Sequence, residues 1–289
     1  MIKKEFFESF DIPKNTAFID METSGLSPIH DDILIISIAK FFDDKKVKIL
    51  QIISQNDEKE VLIEFLTSII GIYEIYSFNG YEFEEKFINQ KLQKYDIYYD
   101  LGNINFISIK NILKNYSNFI NLKYFSRQAV ENHFNIERDR YYDMKLLIKD
   151  MKKNSFNASE NLINHNIDEI HTLLQLYKKI YEFQYSNKAA INDTYFYIYN
   201  FEISEQITKL YFKSDKKYKF SNFFMQNGEK LIIFQNNIQL EIFTKTLYEQ
   251  NDSIILYETE NEYIPIFIKN DIIYKNIYYI LSIYSKYIR

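Results

Sequence analysis

Short apolar runs at residues 17–21, 33–42 and 47–54, parted by turn-forming stretches at 24–28 and 43–46, predict three consecutive strands, an antiparallel meander. Over residues 58–70 the period lengthens. Val61, Leu62, Phe65, Leu66 and Ile69 fall on one helical stripe, which Gly71 closes. Residues 72–78 read as a fourth strand, and residues 81–92 as a second helix with Phe83, Phe87 and Ile88 on one face. Further helical segments are expected at 107–116, 127–134 and 142–151. A long last helix is expected from near Asn157, where Asn157 and Glu160 have capping-box spacing, to about Phe183. The fold class is α/β: a mixed sheet flanked by helices.

Beyond the polar stretch 185–193 the pattern becomes short strand-like segments at 195–199, 206–212, 231–235, 239–244, 254–258 and 263–268. These predict a smaller β-rich domain. Two domains are expected, 1–185 and 186–289, a division within reach of a 289-residue chain. Charge supports the same division. Basic and acidic side chains balance over 186–289, so the whole net charge of -5 lies in the first part.

That acidity gives no global attraction for nucleic acid or an anionic membrane, so a polyanion would have to be gripped locally or through cations. Cysteine is absent, which excludes disulfides and thiolate zinc sites, and four histidines are too few for a histidine-rich metal site. Residues 1–10 lack the pattern of a secretory leader, and charges interrupt even the Ile- and Tyr-rich tail at 272–288. A cytoplasmic protein without a membrane partner is expected. Aromatic residues rise together with Ile, Asn and Lys while Gly, Pro and Ala are scarce, a composition bias that carries no functional weight.

The candidate chemistry sits in three short motifs. Phe18-Ile19-Asp20-Met21-Glu22-Thr23-Ser24-Gly25-Leu26 puts two carboxylates two residues apart at a strand end. Side chains at that spacing share a face, and their repulsion is relieved by a bound divalent cation or, more simply, by solvent. Phe78-Asn79-Gly80-Tyr81-Glu82-Phe83-Glu84 sits where the fourth strand meets a helix, with Glu84 in the first helical turn. Gly25 and Gly80 are two of only five glycines. Asn164-His165-Asn166-Ile167-Asp168-Glu169-Ile170 lies on the last helix, whose apolar face is set by Ile163, Ile167, Ile170, Leu174, Tyr177 and Tyr181. At about 100° per residue Asn166 lies within that face and Glu169 at its border, on the side of His165, while Asp168 points nearly opposite.

Together the motifs resemble the DEDD superfamily of 3'-to-5' exonucleases, most closely the YprB-like branch with a ribonuclease H-like fold. Order and spacing agree over roughly residues 15–183, and the segment 126–138 resembles a helical segment of the same branch. The resemblance implies a catalytic set of Asp20, Glu22, Glu84 and Glu169 with His165. It further implies two Mg2+ or Mn2+ ions held by Asp20, Glu22, Glu84 and either Asp168 or Glu169. Single-stranded DNA or RNA ends would be the substrate, with Thr23, Gly25, Leu26, Asn79 and Phe83 on the nucleic-acid side. Phosphate contacts from Lys123, Arg127, Arg138, Arg140, Lys145 and Lys149 are conceivable, although a solvated helical surface explains most of them. The family has Asp where this chain has Glu84 and Glu169. The extra methylene leaves open a catalytically degenerate relative that binds nucleic acid or acts as a scaffold, and a phosphodiesterase acting on a small nucleotide is a third possibility.

Overall fold

The computed structural model describes all residues except 56, 117–119, 121, 139–145, 147–158, 205, 219–220, 250–251, 260–261, 269–270 and 289. The helix expected at 142–151 and the capping pair begun by Asn157 therefore lie outside the described residues. Two compact units divide the chain, residues 1–114 with 124–179, and residues 115–123 with 180–289.

The first unit is built on a six-stranded mixed sheet: β1 (Ile2–Ser9), β2 (Thr16–Thr23), β3 (Ile33–Asp43), β4 (Lys46–Ile53), β5 (Glu74–Ser77) and β6 (Asn105–Ser108). Their spatial order is β1-β4-β3-β2-β5-β6. The first four pair antiparallel, and β2, β5 and β6 run parallel. Helices α1 (Glu58–Ser68), α2 (Glu84–Lys94), α3 (Ile109–Asn115), α4 (Arg127–His133) and α5 (Ser159–Ser186) accompany the sheet, α5 contributing its residues up to 179.

Strand β2 occupies the middle, and every one of its residues is buried. Because side chains alternate, Ala17, Ile19 and Met21 join the core beneath α1 and α2, together with Val61, Phe65 and Phe87. Phe18, Asp20 and Glu22 take the other face. There Phe18 meets Tyr177 of α5 at 4.9 Å between ring centroids, and Ile35 and Ile53 pack on Leu162 and Ile163. The two carboxylates thus face α5 because the apolar alternation of β2 fixes its opposite face against α1 and α2.

Three differences from the expected elements have local causes. Strand β1 pairs with β4 at the sheet edge and is mostly exposed, so it carries too weak an apolar signal to be read. Residues 107 and 108 end strand β6, where the expectation was a helix; four strand residues run straight into α3, too few for a period of two to register. On α5 the buried positions include Leu162, Asn166, Leu173 and Leu176, whereas Ile167 is only partly buried and Tyr181 is exposed. The buried stripe is rotated from the expected one because polar Asn166 and Glu169 are buried with it.

The second unit is a nine-stranded sheet, β7 (Lys188–Ile191), β8 (Thr194–Ile203), β9 (Ile207–Ser214), β10 (Asn222–Gln226), β11 (Glu229–Phe234), β12 (Asn237–Glu249), β13 (Asp252–Glu258), β14 (Tyr263–Ile268) and β15 (Asp271–Ile272). All of its described pairings are antiparallel. Its core takes Ile277, Ile280 and Leu281 from helix α6 (Tyr274–Ile283), which the aromatic-rich tail pattern did not reveal. Buried Glu229 accepts hydrogen bonds from the hydroxyls of Tyr257 and Tyr284 and from the Phe243 N–H. Among the described residues of the chain, no helix is long and apolar enough to cross a membrane.

Candidate active site

The turn that ends β2 is tied on both sides. Ser24 N–H donates to the Asp32 carbonyl at 2.9 Å, and Asp32 N–H donates back to Ser24 Oγ at 2.9 Å. Within it Thr23 Oγ1 donates to the Gly25 carbonyl at 2.6 Å. A Cβ on Gly25 would lie 2.3 Å from the Asp31 carboxylate, which accepts from Ser27 N–H, so a larger residue here would displace that side chain. Leu26 projects from it, 84% exposed. Lys91 and Lys94 of α2 hold Asp32 at 3.3 and 3.2 Å, and Lys91 also pairs with buried Glu58 at 3.1 Å.

The second motif turns at Gly80, whose φ of +67° suits glycine and whose Cβ would stand 2.7 Å from the Ser108 backbone nitrogen. This turn makes Glu84 the first residue of α2 and buries it. Its carboxylate draws on the Ser77 hydroxyl and on backbone N–H groups of Asn79 and Glu84, yet Oε2 is buried without a hydrogen-bond partner.

Helix α5 supplies the third group. Asn166 lies at the centre of the packed face, with Glu169 and His165 beside it, all buried. His165 Nε2 stands 3.3 Å from Glu169 Oε1 and 3.7 Å from Glu22 Oε1. Asp20, Glu22, Glu84, His165, Glu169, Asn79, Phe83 and Lys110 line a common cleft of ≈ 380 Å³. Asp168, partly buried, is absent from that lining, as are Thr23, Gly25 and Leu26.

Two arginines enter the same cluster. Arg127, at the start of α4, reaches Asp20 Oδ1 with Nη1 at 3.0 Å and Glu169 Oε2 with Nε at 2.6 Å. Arg138 pairs with Glu169 Oε1 and with both oxygens of Glu131, the latter at 2.6 Å each. Glu131 also accepts from Arg127 Nε at 3.1 Å. The expected solvated surface therefore does not hold for these two side chains: each is largely buried among carboxylates, because only there do its donors find acceptors. Lys123 is exposed, and Arg140, Lys145 and Lys149 lie outside the described residues.

Burial pushes Asp20 up to about 6 against the pull of Arg127, and pushes Glu84 up to about 7. Burial, with the neighbouring Asp20 and Glu169 charges, raises Glu22 well above its ordinary value. Glu169 is buried too, but Arg127 and Arg138 outweigh that and hold it below the usual range. Burial also lowers His165, which leaves its imidazole neutral near pH 7. Asp20, Glu22 and Glu84 thus resist ionising together without a counter-charge, a cost that a bound cation would relieve.

The RNase_H_2 family model, described as RNase_H superfamily, matches residues 17–181, more than half of the chain. The chain belongs to the ribonuclease H superfamily. No curated protein sequence matches it. Membership points to a nuclease acting on nucleic acid, and ribonuclease H-like nucleases commonly use divalent metal ions.

The donor chemistry fits such an ion: hard carboxylate oxygens, and in Glu84 Oε2 a buried acceptor without a partner. The arrangement fits less completely. Among the described residues no three acidic or histidine side chains are gathered tightly enough to hold an ion as they stand. Arg127 and Arg138 engage Asp20 and Glu169 instead. Glu131 and Asn166 carry no role in the motif reading. The signals were present, in the i,i+4 spacing of Arg127 and Glu131 and in an asparagine set inside an apolar helical stripe.

Proposed function

We propose that this ribonuclease H-like protein is a metal-dependent 3'-to-5' exonuclease acting on single-stranded DNA or RNA ends. The reading rests on one observation: Asp20, Glu22, Glu84, His165 and Glu169, drawn from three distant motifs, line a single cleft. The activity is assigned to the first domain, residues 1–185, with residues 186–289 as a separate β-rich domain.

Asp20, Glu22 and Glu84 would hold Mg2+ or Mn2+, which when bound supplies positive charge to the scissile phosphate. The remaining roles belong to the chain. His165, which lines the cleft with Nε2 between Glu169 and Glu22, would orient or deprotonate the attacking water. Asn166 fixes Asp20 by donating to Oδ2 at 2.9 Å. Asn79 and Phe83, at the cleft wall, would receive the terminal nucleotide, and Lys110 its phosphate. Thr23 and Gly25 shape the turn from which Leu26 projects.

The test uses 3'- and 5'-labelled single strands of DNA and RNA with Mn2+, wild type beside Asp20→Ala. Wild type should shorten one class of strand from its 3' end, and the variant should lose at least about a hundredfold in rate. Equal rates from the two proteins would defeat the proposal. A second reading, a degenerate relative that only binds nucleic acid, draws support from the guanidinium groups on Asp20 and Glu169. It requires both proteins to bind the strand and neither to shorten it.

A further inference from the structure

We propose that the outward face of the second unit's sheet is a platform for single-stranded nucleic acid, where bases stack on tyrosine and phenylalanine rings and lysines meet the phosphates. The inference rests on the nucleic-acid reading above and gives the β-rich domain a part in it.

Strand alternation sets the face. Phe196, Ile198, Leu210, Phe212, Leu231 and Leu240 point into the core shared with α6, so the residues between them point the other way. Pairing then lays those residues side by side. Lys188 of β7 lies opposite Tyr197 of β8, and Tyr197 opposite Lys213 of β9. One step along, Tyr211 of β9 lies opposite Gln239 of β12, Gln239 opposite Ile232 of β11, and Ile232 opposite Phe223 of β10. A band of rings, amides and lysines thus crosses the sheet from β7 to β10.

A bulge completes it. The register of β8 on β9 shifts between Ile198 and Asn200, so Ile198 and Phe201, three residues apart, both reach the core. The extra residue leaves Tyr199 outward, its ring 6.2 Å from that of Tyr211 and 5.9 Å from Lys213 Nζ. Lys188 Nζ stands 4.2 Å from the centre of the Tyr195 ring. Tyr195 is 45% exposed, and Phe223 and Phe234, at the far end of the band, 59% and 56%.

The abundance of aromatic residues in the chain carries no weight; their collection on one face among lysines does. Every base has a flat π-face, so such rings hold a strand with little regard to sequence. The acids of the face are engaged locally: Glu202 with Lys209 at 3.4 Å, Glu241 with Lys230 at 3.0 Å, and Asp215 with the Tyr195 N–H at 3.0 Å. Lys188 and Lys213 lie among the rings themselves, where the phosphates of a stacked strand would pass. Asn237 and Gln239, in the middle of the band, offer amides to base edges, which a purely apolar protein-docking face would not need.

The full chain would be titrated, with chelator present, into labelled single strands of DNA and RNA of about twenty nucleotides, and binding followed by fluorescence anisotropy. Affinity should fall at least about tenfold in Tyr195→Ala and in Phe223→Ala, and hold in Tyr195→Phe, which keeps the ring. The double variant Lys188→Glu/Lys213→Glu should weaken binding and flatten its salt dependence. Tyr248→Ala, exposed on the opposite side of β12, should bind as wild type. Wild-type affinity in all the face variants would overturn the inference, as would a wild type that does not bind. A dimer in sedimentation that the same variants dissociate, without strand binding, would overturn it in favour of a second copy on this face. Shortening of the strand in Mn2+ is read separately. A strand shortened but not held by this face leaves the exonuclease reading standing; a strand held by it but never shortened removes that reading and keeps the platform.

Discussion

Asn166 Nδ2 donates to Asp20 Oδ2 at 2.9 Å, while its amide oxygen accepts from Ser37 Oγ at 2.5 Å and from Gln51 Nε2 at 3.0 Å. One fully buried side chain on α5 thus fastens β2, β3 and β4 together directly beneath the cleft. Asn166→Ala strands Ser37 and one Asp20 oxygen in a dry core and leaves the Gln51 amide only the Ile163 carbonyl as acceptor. A loss of about 2–4 kcal/mol is expected, at the cost of buried unsatisfied groups. Urea unfolding measures it, and a midpoint unchanged from wild type would show that the network is not structural.

Stability should depend on pH in an unusual sense. Asp20 rises from 3.8 to about 6 and Glu84 from 4.5 to about 7 on folding, so the folded chain binds their protons more tightly than the unfolded one. Their contribution is complete below the unfolded values and is lost as pH rises through 6 to 7. Glu169, shifted downward, acts oppositely and only towards acid. With chelator present, melting at pH 8 should fall below that at pH 5.5 by on the order of 5 °C. Mn2+ should restore it at pH 8, since an ion favours the ionised carboxyls.

Glu131 touches neither cleft nor ion, yet it is the counter-charge of both arginines. Glu131→Gln leaves two buried guanidinium groups sharing Asp20 and Glu169. We expect a loss of roughly 3 kcal/mol of stability. Mn2+ affinity should also fall about tenfold, as unbalanced positive charge draws on Asp20. Calorimetric titration with Mn2+ at constant pH reads the second effect, which a purely structural role would leave untouched.

Gly80→Ala forces a Cβ to within 2.7 Å of the Ser108 nitrogen at a φ of +67°. Backbone must move, and Glu84 moves with it. A loss of about 2 kcal/mol is expected from the strained turn. If the nuclease reading holds, kcat should drop by on the order of a hundredfold with little change in KM, the mark of a misplaced group. Single-turnover assays on a labelled strand separate the two.

Much of this was legible in the chain. The helical stripe at Val61, Leu62 and Phe65, the meander before it and the acidic turns at Gly25 and Gly80 follow from local periods and from glycine's backbone freedom. The helical count that set Glu169 rather than Asp168 beside His165 also agrees with the lining of the cleft. Arg127 and Arg138 were not legible in this way. Local spacing places a guanidinium on a helix surface, and only the fold, by laying α4 against β2 and α5, turns that surface inward. Strand β1 was hidden for a different reason: an exposed edge strand buries too little to leave an apolar trace.

The Arg127–Glu131–Arg138–Glu169 knot has an evolutionary corollary. Replacing either arginine alone strands an acid, and replacing either acid alone strands a cation, so single changes pass through a destabilised intermediate. Drift between this arrangement and an all-carboxylate site must proceed by paired substitutions. Among relatives, these four positions should therefore change as a set or hold as one.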